Sequence, residues 1–124
     1  MFSRDYLLAK VSLFFEAIAK AKKALGDKQY EVLSAILNEN LDEPAITAYI
    51  NGDDRQLPDE AYQYLLFQAE LLFLQLQFLK ATGAAFEMTQ ERYLHYSLKL
   101  LKADARNFNF ALHQKILLVQ QNAF

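Results

Sequence analysis

The chain of 124 residues contains no cysteine, three glycines and two prolines. The absence of cysteine excludes disulfide bonds and thiolate chemistry, and it fits a cytoplasmic protein. So few glycines and prolines leave few points at which a helix must stop. Valine, isoleucine and threonine are also scarce, whereas leucine, alanine, glutamine, glutamate and lysine are abundant. Because unbranched side chains lose little rotamer freedom in a helix, we predict an all-α fold.

Neither charge nor continuous hydrophobicity dominates the chain. A net charge of −2 lacks the basic excess that is typical of nucleic-acid-binding domains. The longest apolar run in the most apolar segment, Ala61–Leu79, is four residues, far below the roughly 20 that span a bilayer. Asp5 and Lys10 interrupt the N-terminal apolar residues, so we expect no signal peptide. We predict one cytoplasmic domain over residues 1–124, with neither nucleic acid nor a membrane as partner.

Motifs for catalysis and cofactor binding are missing from the sequence. It has no glycine-rich phosphate loop and no nucleophile elbow. Its two histidines are His95 and His113, and Glu91 lies one helical turn before His95. A Glu-His set can serve acid–base chemistry or bind a metal, but Glu91 and His95 lack the Glu-x-x-His spacing of di-iron bundles. We favour ordinary helix residues, and predict no enzyme activity, no cofactor and no metal.

Adjacent acidic residues occur in pairs where helices should begin or within the polar connection DDRQLPDE. The pairs are Asp42-Glu43, Asp53-Asp54 and Asp59-Glu60. Carboxylates at such places cap free N–H groups and complement the helix dipole. A calcium loop is the alternative, but Arg55 stands where that loop requires a ligand. We therefore interpret the pairs as helix-start signals.

Hydrophobic spacing and end signals predict five helices and a short additional one. The five cover residues 4–25, 27–38, 58–82, 90–103 and 109–121, and the short helix lies between Asp42 and Gly52. An earlier start, near Ala84, is the alternative for the helix over 90–103. Gly26 is expected just after the first helix, at the C′ position, where it stops the helix. In the helix over 90–103 we place Leu100 near the edge of the apolar side. The C-terminal end of the last helix should fray.

The central helix, at about 58–82, carries two apolar faces. One face contains Ala61, Leu65, Leu66, Ala69, Leu72, Phe73, Leu76 and Leu79. The other contains Tyr64, Phe67, Leu71, Leu74 and Phe78. Two thin polar lines separate the faces, namely Gln63, Glu70 and Gln77 on one side and Gln68 and Gln75 on the other. A helix with two apolar faces must bury both, so this helix should lie between neighbours.

The second of these faces is the candidate partner-binding surface. Its members are Tyr64, Phe67, Leu71, Leu74 and Phe78. Large apolar patches that stay exposed usually mark association, and aromatic residues anchor interfaces. The face is therefore a candidate groove wall or homodimer seam. The alternative is that the first or the last helix covers it within the monomer.

Residues 60–120 resemble a degenerate tetratricopeptide unit. An apolar helix is followed by the small-residue turn Thr82-Gly83 and by a Tyr-containing helix that leads into KADARNF, where Ala105 or Arg106 replaces the usual proline. The opening MFSRDYLL and the turn GDKQYE are similar to a group of short bacterial tetratricopeptide-like proteins. The resemblance implies stacked antiparallel helix pairs in a bacterial, cytoplasmic protein.

The leading functional prediction is a non-catalytic protein–protein interaction module that binds a protein partner or itself, with a homodimer expected. Stacks of helix pairs present an apolar concave side for such binding. The alternative is a small-ligand-binding or regulatory protein. That function would need an aromatic pocket between helices, beside Tyr62, Phe73 or Tyr93.

Overall fold

The computed structural model describes residues 4–52, 57–103 and 109–124, with side chains from residue 9 onward. Within these residues the chain forms six α-helices and no strand, so the predicted all-α fold is confirmed. The helices are α1 (Arg4–Gly26), α2 (Tyr30–Asn40), α3 (Glu43–Asn51), α4 (Asp59–Ala81), α5 (Glu87–Ala103) and α6 (Phe110–Gln120). The short additional helix is α3, and the central helix is α4.

Side-chain caps define the starts of α3 and α6. The Asp42 carboxylate accepts a hydrogen bond from the Ala45 N–H at 3.1 Å. The Asn109 side chain accepts one from the Leu112 N–H at 3.0 Å. Each cap satisfies a backbone donor that has no partner inside the helix. The acidic pair Asp59-Glu60 lies in the first turn of α4, as expected, whereas Asp53-Asp54 lies outside the described residues.

Three helices end in the same turn, in which one residue adopts the left-handed conformation. These residues are Lys28 (φ 57°), Gly83 (φ 73°) and Asn122 (φ 54°). After α1, the Gln29 N–H donates to the Ala24 carbonyl at 2.8 Å, which is the long bond of this turn. We expected Gly26 to take the left-handed position just past the first helix, and that assignment is wrong. Gly26 is the last helical residue, and Lys28 takes the left-handed position.

The central helix α4 contributes to two separate apolar cores. One core joins its first face to α3, α5 and α6, and the other joins its second face to α1 and α2. From α4, the first core receives Leu65, Ala69, Leu72, Phe73 and Leu76. The second receives Phe67, Leu71 and Leu74. The prediction that α4 lies between neighbours and buries both faces is confirmed.

Helix α5 is buried more widely than its sequence pattern indicates. Leu100, which we placed near the edge of the apolar side, is 0% exposed. The reason is that α5 packs against α3, α4 and α6, so that more than one side of it is covered. The fully buried residues of α5 are Tyr93, Tyr96, Ser97 and Leu100.

The residues after α6 fold back onto the turn between α4 and α5. The Lys80 ammonium donates a hydrogen bond to the Asn122 carbonyl at 2.8 Å and lies 4.7 Å from the centre of the Phe124 ring. Phe124 also meets Phe86 edge-on, with ring centres 5.2 Å apart. The C-terminal residues are thus held by specific contacts. The expectation that this end frays was made without them.

Candidate binding groove

A groove runs over α4 between α1 and α6. Helix α1 packs on the second face of α4, while α6 joins the core of its first face, so the two helices flank α4 on different sides. The groove encloses a cavity of about 230 Å³ that opens to solvent. Its position follows from the polar line of α4, because Gln63 and Glu70 of that line both lie in the groove.

The walls of the groove are mainly apolar and carry four aromatic rings. Helix α1 supplies Val11, Phe14, Phe15, Ile18 and Lys22. Helix α4 supplies Gln63, Leu66, Phe67, Ala69 and Glu70. Tyr93 comes from α5, and Asn109, Ala111, Leu112 and Lys115 come from the start of α6. The α1 residues recur at three- and four-residue steps, so one face of that helix forms a complete wall.

One ion pair crosses the groove from α4 to α6. The Lys115 ammonium lies 2.8 Å from Glu70 Oε1 and 5.8 Å from the centre of the Phe73 ring. The second carboxylate oxygen, Glu70 Oε2, is buried and has no hydrogen-bond partner among the described residues. A buried carboxylate oxygen without a donor is costly, because water is lost and nothing replaces it.

Tyr93 places a second polar group against the groove. The residue is fully buried, and the side chain of Ser97, one turn further along α5, lies beside its hydroxyl. Burial raises the pKa of Tyr93 above its ordinary value; the hydrogen bond to Ser97 lowers it, the negative charge of Glu70 raises it, and burial prevails. The hydroxyl is therefore neutral at physiological pH. Its ring lies 6.0 Å from that of Phe73, which fixes the phenol beside the first core.

Together these groups give an apolar site with two buried polar atoms behind its wall. Lys115 already neutralises much of the charge on Glu70 through the 2.8 Å contact. The groove is thus suited to bind an apolar group.

The predicted partner-binding stripe lies mostly inside the molecule. Phe67 is 7% exposed, and Leu71 and Leu74 are buried with it in the second core. Phe67 stacks on Phe14 of α1 with ring centres 4.5 Å apart, and Phe78 meets Tyr30 of α2 at 5.9 Å. Helix α1 therefore covers this face within the monomer, as the alternative interpretation stated, and α2 covers the part of it near Phe78. Phe67 is the one member of the stripe that also lines the groove.

The remaining member of the stripe, Tyr64, connects α4 to the start of α3. Its hydroxyl donates to Asp42 Oδ2 at 2.6 Å. Burial raises the pKa of Tyr64 to about 12, with the hydrogen bond to Asp42 and the negative charge of that carboxylate acting in the same direction. Tyr64 thus attaches the start of α3 to α4, and this contact leaves its hydroxyl engaged within the protein.

The other candidate groups from the sequence do not form a site with the groove. In the part of the chain that the structure describes, no three His, Cys, Asp or Glu side chains come together as metal ligands, and Glu91, His95 and His113 are included in that finding. His95 is exposed on α5, and His113 is half-buried on α6. None of the described helices has both the length and the apolar character that crossing a membrane requires.

Sequence reasoning described two features that border the groove but did not predict the groove itself. The heptad spacing of Gln63 and Glu70 marks a polar line on α4, and Tyr93 was named as a possible pocket neighbour. Lys115 was not singled out, because nothing in the sequence gives the rotation of α6 about its own axis. The signal that was present is the single acidic residue, Glu70, in an otherwise uncharged segment, since a buried carboxylate needs a cationic partner.

Comparisons with protein-family models, curated proteins and solved structures find no match for this chain.

Proposed function

We propose that this protein is a non-catalytic protein–protein interaction module and that the groove between α1 and α6 holds the partner. The observation that carries the proposal is the exposure of Phe15. This side chain lines the groove, yet it is 69% exposed. A large aromatic residue at the mouth of an apolar groove is the kind of anchor that protein interfaces use.

The size of the groove favours a protein partner over a cofactor. Pockets that enclose drug-sized molecules measure roughly 300–1,000 Å³. The cavity here, at about 230 Å³, has room for one large side chain of a partner. Its α1 wall extends from Val11 to Lys22, which is roughly 16 Å at about 1.5 Å per residue. A partner helix of about three turns matches this length, with one residue inserted into the cavity.

The predicted resemblance to tetratricopeptide proteins points to the same class of function, since helix-pair stacks bind peptides on one face. That resemblance and the bacterial, cytoplasmic setting it implies remain predictions. Self-association through the groove is the form of the proposal that requires no second protein. A homodimer of this kind would place the same surface of each copy against the other.

Capture from native lysate, with matched variants, tests the proposal. Immobilised wild-type protein should retain a specific protein, and Phe15→Glu should lose it because a charge would have to be desolvated at the groove. Val32→Glu is the control, since Val32 is 49% exposed on α2 and does not line the groove. A partner retained equally by wild type and Phe15→Glu would show that binding uses another surface.

A second candidate function is the binding of a small ligand. The observation in its favour is that the rings of Phe14, Phe67 and Tyr93 line the cavity, as an aromatic pocket requires. Freshly purified protein should then carry a copurified compound that native mass spectrometry detects. Protein that carries no compound would leave this candidate without support.

A further inference from the structure

We infer that two copies of this chain associate through the outer side of α6, as an antiparallel pair of α6 helices with Gln114 on the two-fold axis. This contact lies beside the groove and therefore goes beyond the proposed function. The residues that form it are Phe110, Gln114 and Leu118, here called the outer row of α6. They follow one another at four-residue steps, are exposed to solvent and do not line the groove.

The exposed side chains of α6 carry no formal charge. Among the described residues, each of the other five helices exposes at least one Asp, Glu, Lys or Arg side chain. The one lysine of α6, Lys115, is half-buried and pairs with Glu70. Interfaces between identical subunits are more apolar than other protein surfaces, and their centres are depleted of charge. The composition of this helix surface is therefore that of an interface between copies.

Apolar side chains occur on both sides of α6. Its inner side packs on α5 and contributes Leu112, Ile116 and Val119 to the first core. On its outer side, Phe110 is 66% exposed and Leu118 is 39% exposed. A helix that is apolar all round is normally buried, and aromatic residues anchor interfaces. The outer side thus has the composition of a surface that another helix covers.

The order of residues along the outer row is symmetric about Gln114. Phe110 lies four residues before Gln114, and Leu118 lies four residues after it. Residues four apart form a continuous ridge, which is the unit that interdigitates when helices pack. When two such ridges meet in antiparallel orientation, Phe110 of each copy faces Leu118 of the other, and the two Gln114 side chains meet on the axis. Because an amide carries both donors and an acceptor, two identical amides can satisfy each other.

The same features favour a second copy over a foreign protein. Charges across an interface select a partner and steer its approach, and the outer row offers none. Its symmetric order matches itself instead. The α6 residues that line the groove are Asn109, Ala111, Leu112 and Lys115, none of which belongs to the outer row. Each molecule of the dimer therefore keeps its groove for a different protein.

The length of α6 limits the strength of this contact. Its 11 residues span roughly 16 Å at about 1.5 Å per residue. A standard interface uses about 20–30 residues of each partner, which is more than one side of such a helix supplies. We therefore expect a reversible dimer, with a dissociation constant on the order of 100 µM.

Charge exchange at position 114 of the full chain tests the inference. Sedimentation equilibrium of the wild type from about 10 µM to about 1 mM should show monomer and dimer in exchange. Gln114→Glu and Gln114→Lys should each weaken the dimer by about tenfold or more, because two like charges meet on the axis. An equimolar mixture of the two variants should recover the dimer, since opposite charges then meet. Both variants should keep wild-type helicity, because Gln114 is exposed.

Gln29 provides the matched control. It is exposed in the turn between α1 and α2, and its side chain makes no capping hydrogen bond. Gln29→Glu and Gln29→Lys should therefore leave the dissociation constant of the dimer unchanged. Phe15→Glu should also leave it unchanged, since Phe15 lines the groove and lies on another helix. Loss of a captured protein in Phe15→Glu thus tests the proposed function separately.

Four outcomes would overturn the inference. A wild type that stays monomeric up to about 1 mM would do so without affecting the groove as a binding site for a different protein. A dimer that resists both Gln114 variants, or one that their mixture does not restore, would show that the copies meet elsewhere or in another register. A dimer abolished by Phe15→Glu would place the contact in the groove. A monomer whose Gln114→Glu variant loses a lysate protein that Phe15→Glu retains would assign the outer row to a foreign partner.

Discussion

Gln68 of α4 holds the junction between α2 and α3 through the backbone of Asp42. Its Oε1 accepts a hydrogen bond from the Asp42 N–H at 2.9 Å, while its Nε2 donates to the Asn40 carbonyl at 3.1 Å. The Gln68 side chain is fully buried, so it replaces solvent for two backbone groups at a helix junction. The amide therefore couples the position of α3 to α4, on which the groove is built.

Removing this amide should destabilise the protein. Gln68→Leu keeps the approximate size of the side chain but leaves the Asp42 N–H and the Asn40 carbonyl without their partner, which should lower the free energy of unfolding by about 1–3 kcal/mol. Urea unfolding followed by circular dichroism measures this. Gln75→Leu is the control, since Gln75 lies one heptad later and should change the free energy by no more than about 0.5 kcal/mol. Equal losses of unfolding free energy in Gln68→Leu and Gln75→Leu would contradict this role of the Gln68 amide.

Leu100 and Leu72 should matter equally for stability, contrary to what the sequence pattern alone predicts. Both are fully buried in the same core. Truncation of either to alanine should therefore lower the free energy of unfolding by about 2–5 kcal/mol. Leu118→Ala is the comparison. Because Leu118 is 39% exposed, its truncation should lower the free energy of unfolding clearly less. A Leu100→Ala loss as small as that of Leu118→Ala would contradict the burial of Leu100.

The contrast between these leucines shows what hydrophobic spacing can predict. On α4, the spacing correctly separated Leu72 from Leu71, because each lies on one of two opposite apolar faces and each face has its own core. On α5, the same reasoning misplaced Leu100. Hydrophobic spacing identifies a helix with one buried face, whereas α5 is covered by three other helices on more than one side. The groove was beyond prediction for a related reason. It depends on where Lys115 meets Glu70, and only packing between helices far apart in sequence determines that contact.

A glycine at position 28 should stabilise the protein. Lys28 adopts φ 57° in the turn after α1, a conformation that costs a residue with a Cβ roughly 1–2 kcal/mol. Glycine avoids this cost but has more freedom in the unfolded chain, so Lys28→Gly should raise the free energy of unfolding by about 0.5–1 kcal/mol. Lys28→Ala retains the Cβ and should give no such gain. Chemical denaturation of both variants beside wild type measures the difference.

Stability should fall at alkaline pH because buried tyrosines resist ionisation. Burial raises the pKa of Tyr64 to about 12, and it raises those of Tyr93 and Tyr96 further above the ordinary value. The folded state then holds protons that the unfolded state releases above about pH 10. The stabilisation is complete below that pH and is lost as the pH rises towards the folded values. Urea midpoints between about pH 9 and 11 should decrease, and Tyr64→Phe should show a shallower decrease than wild type.

Phe15→Glu, and not Phe67→Glu, is the variant that tests which surface forms the predicted homodimer. Phe67 is 7% exposed and stacks on Phe14, so Phe67→Glu buries a charge in the second core and should reduce helicity. It therefore cannot test the interface. Phe15→Glu changes an exposed residue and should keep wild-type helicity by circular dichroism.

If the groove mediates self-association, wild type should sediment as a dimer at tens of micromolar and Phe15→Glu as a monomer, because a dimer interface cannot readily desolvate the new carboxylate. Val32→Glu, an exposed change outside the groove, should leave the dimer intact. A wild-type monomer in the ultracentrifuge would refute the homodimer. A dimer that survives Phe15→Glu would show that the copies meet on another face, and the groove would then remain open to a different protein.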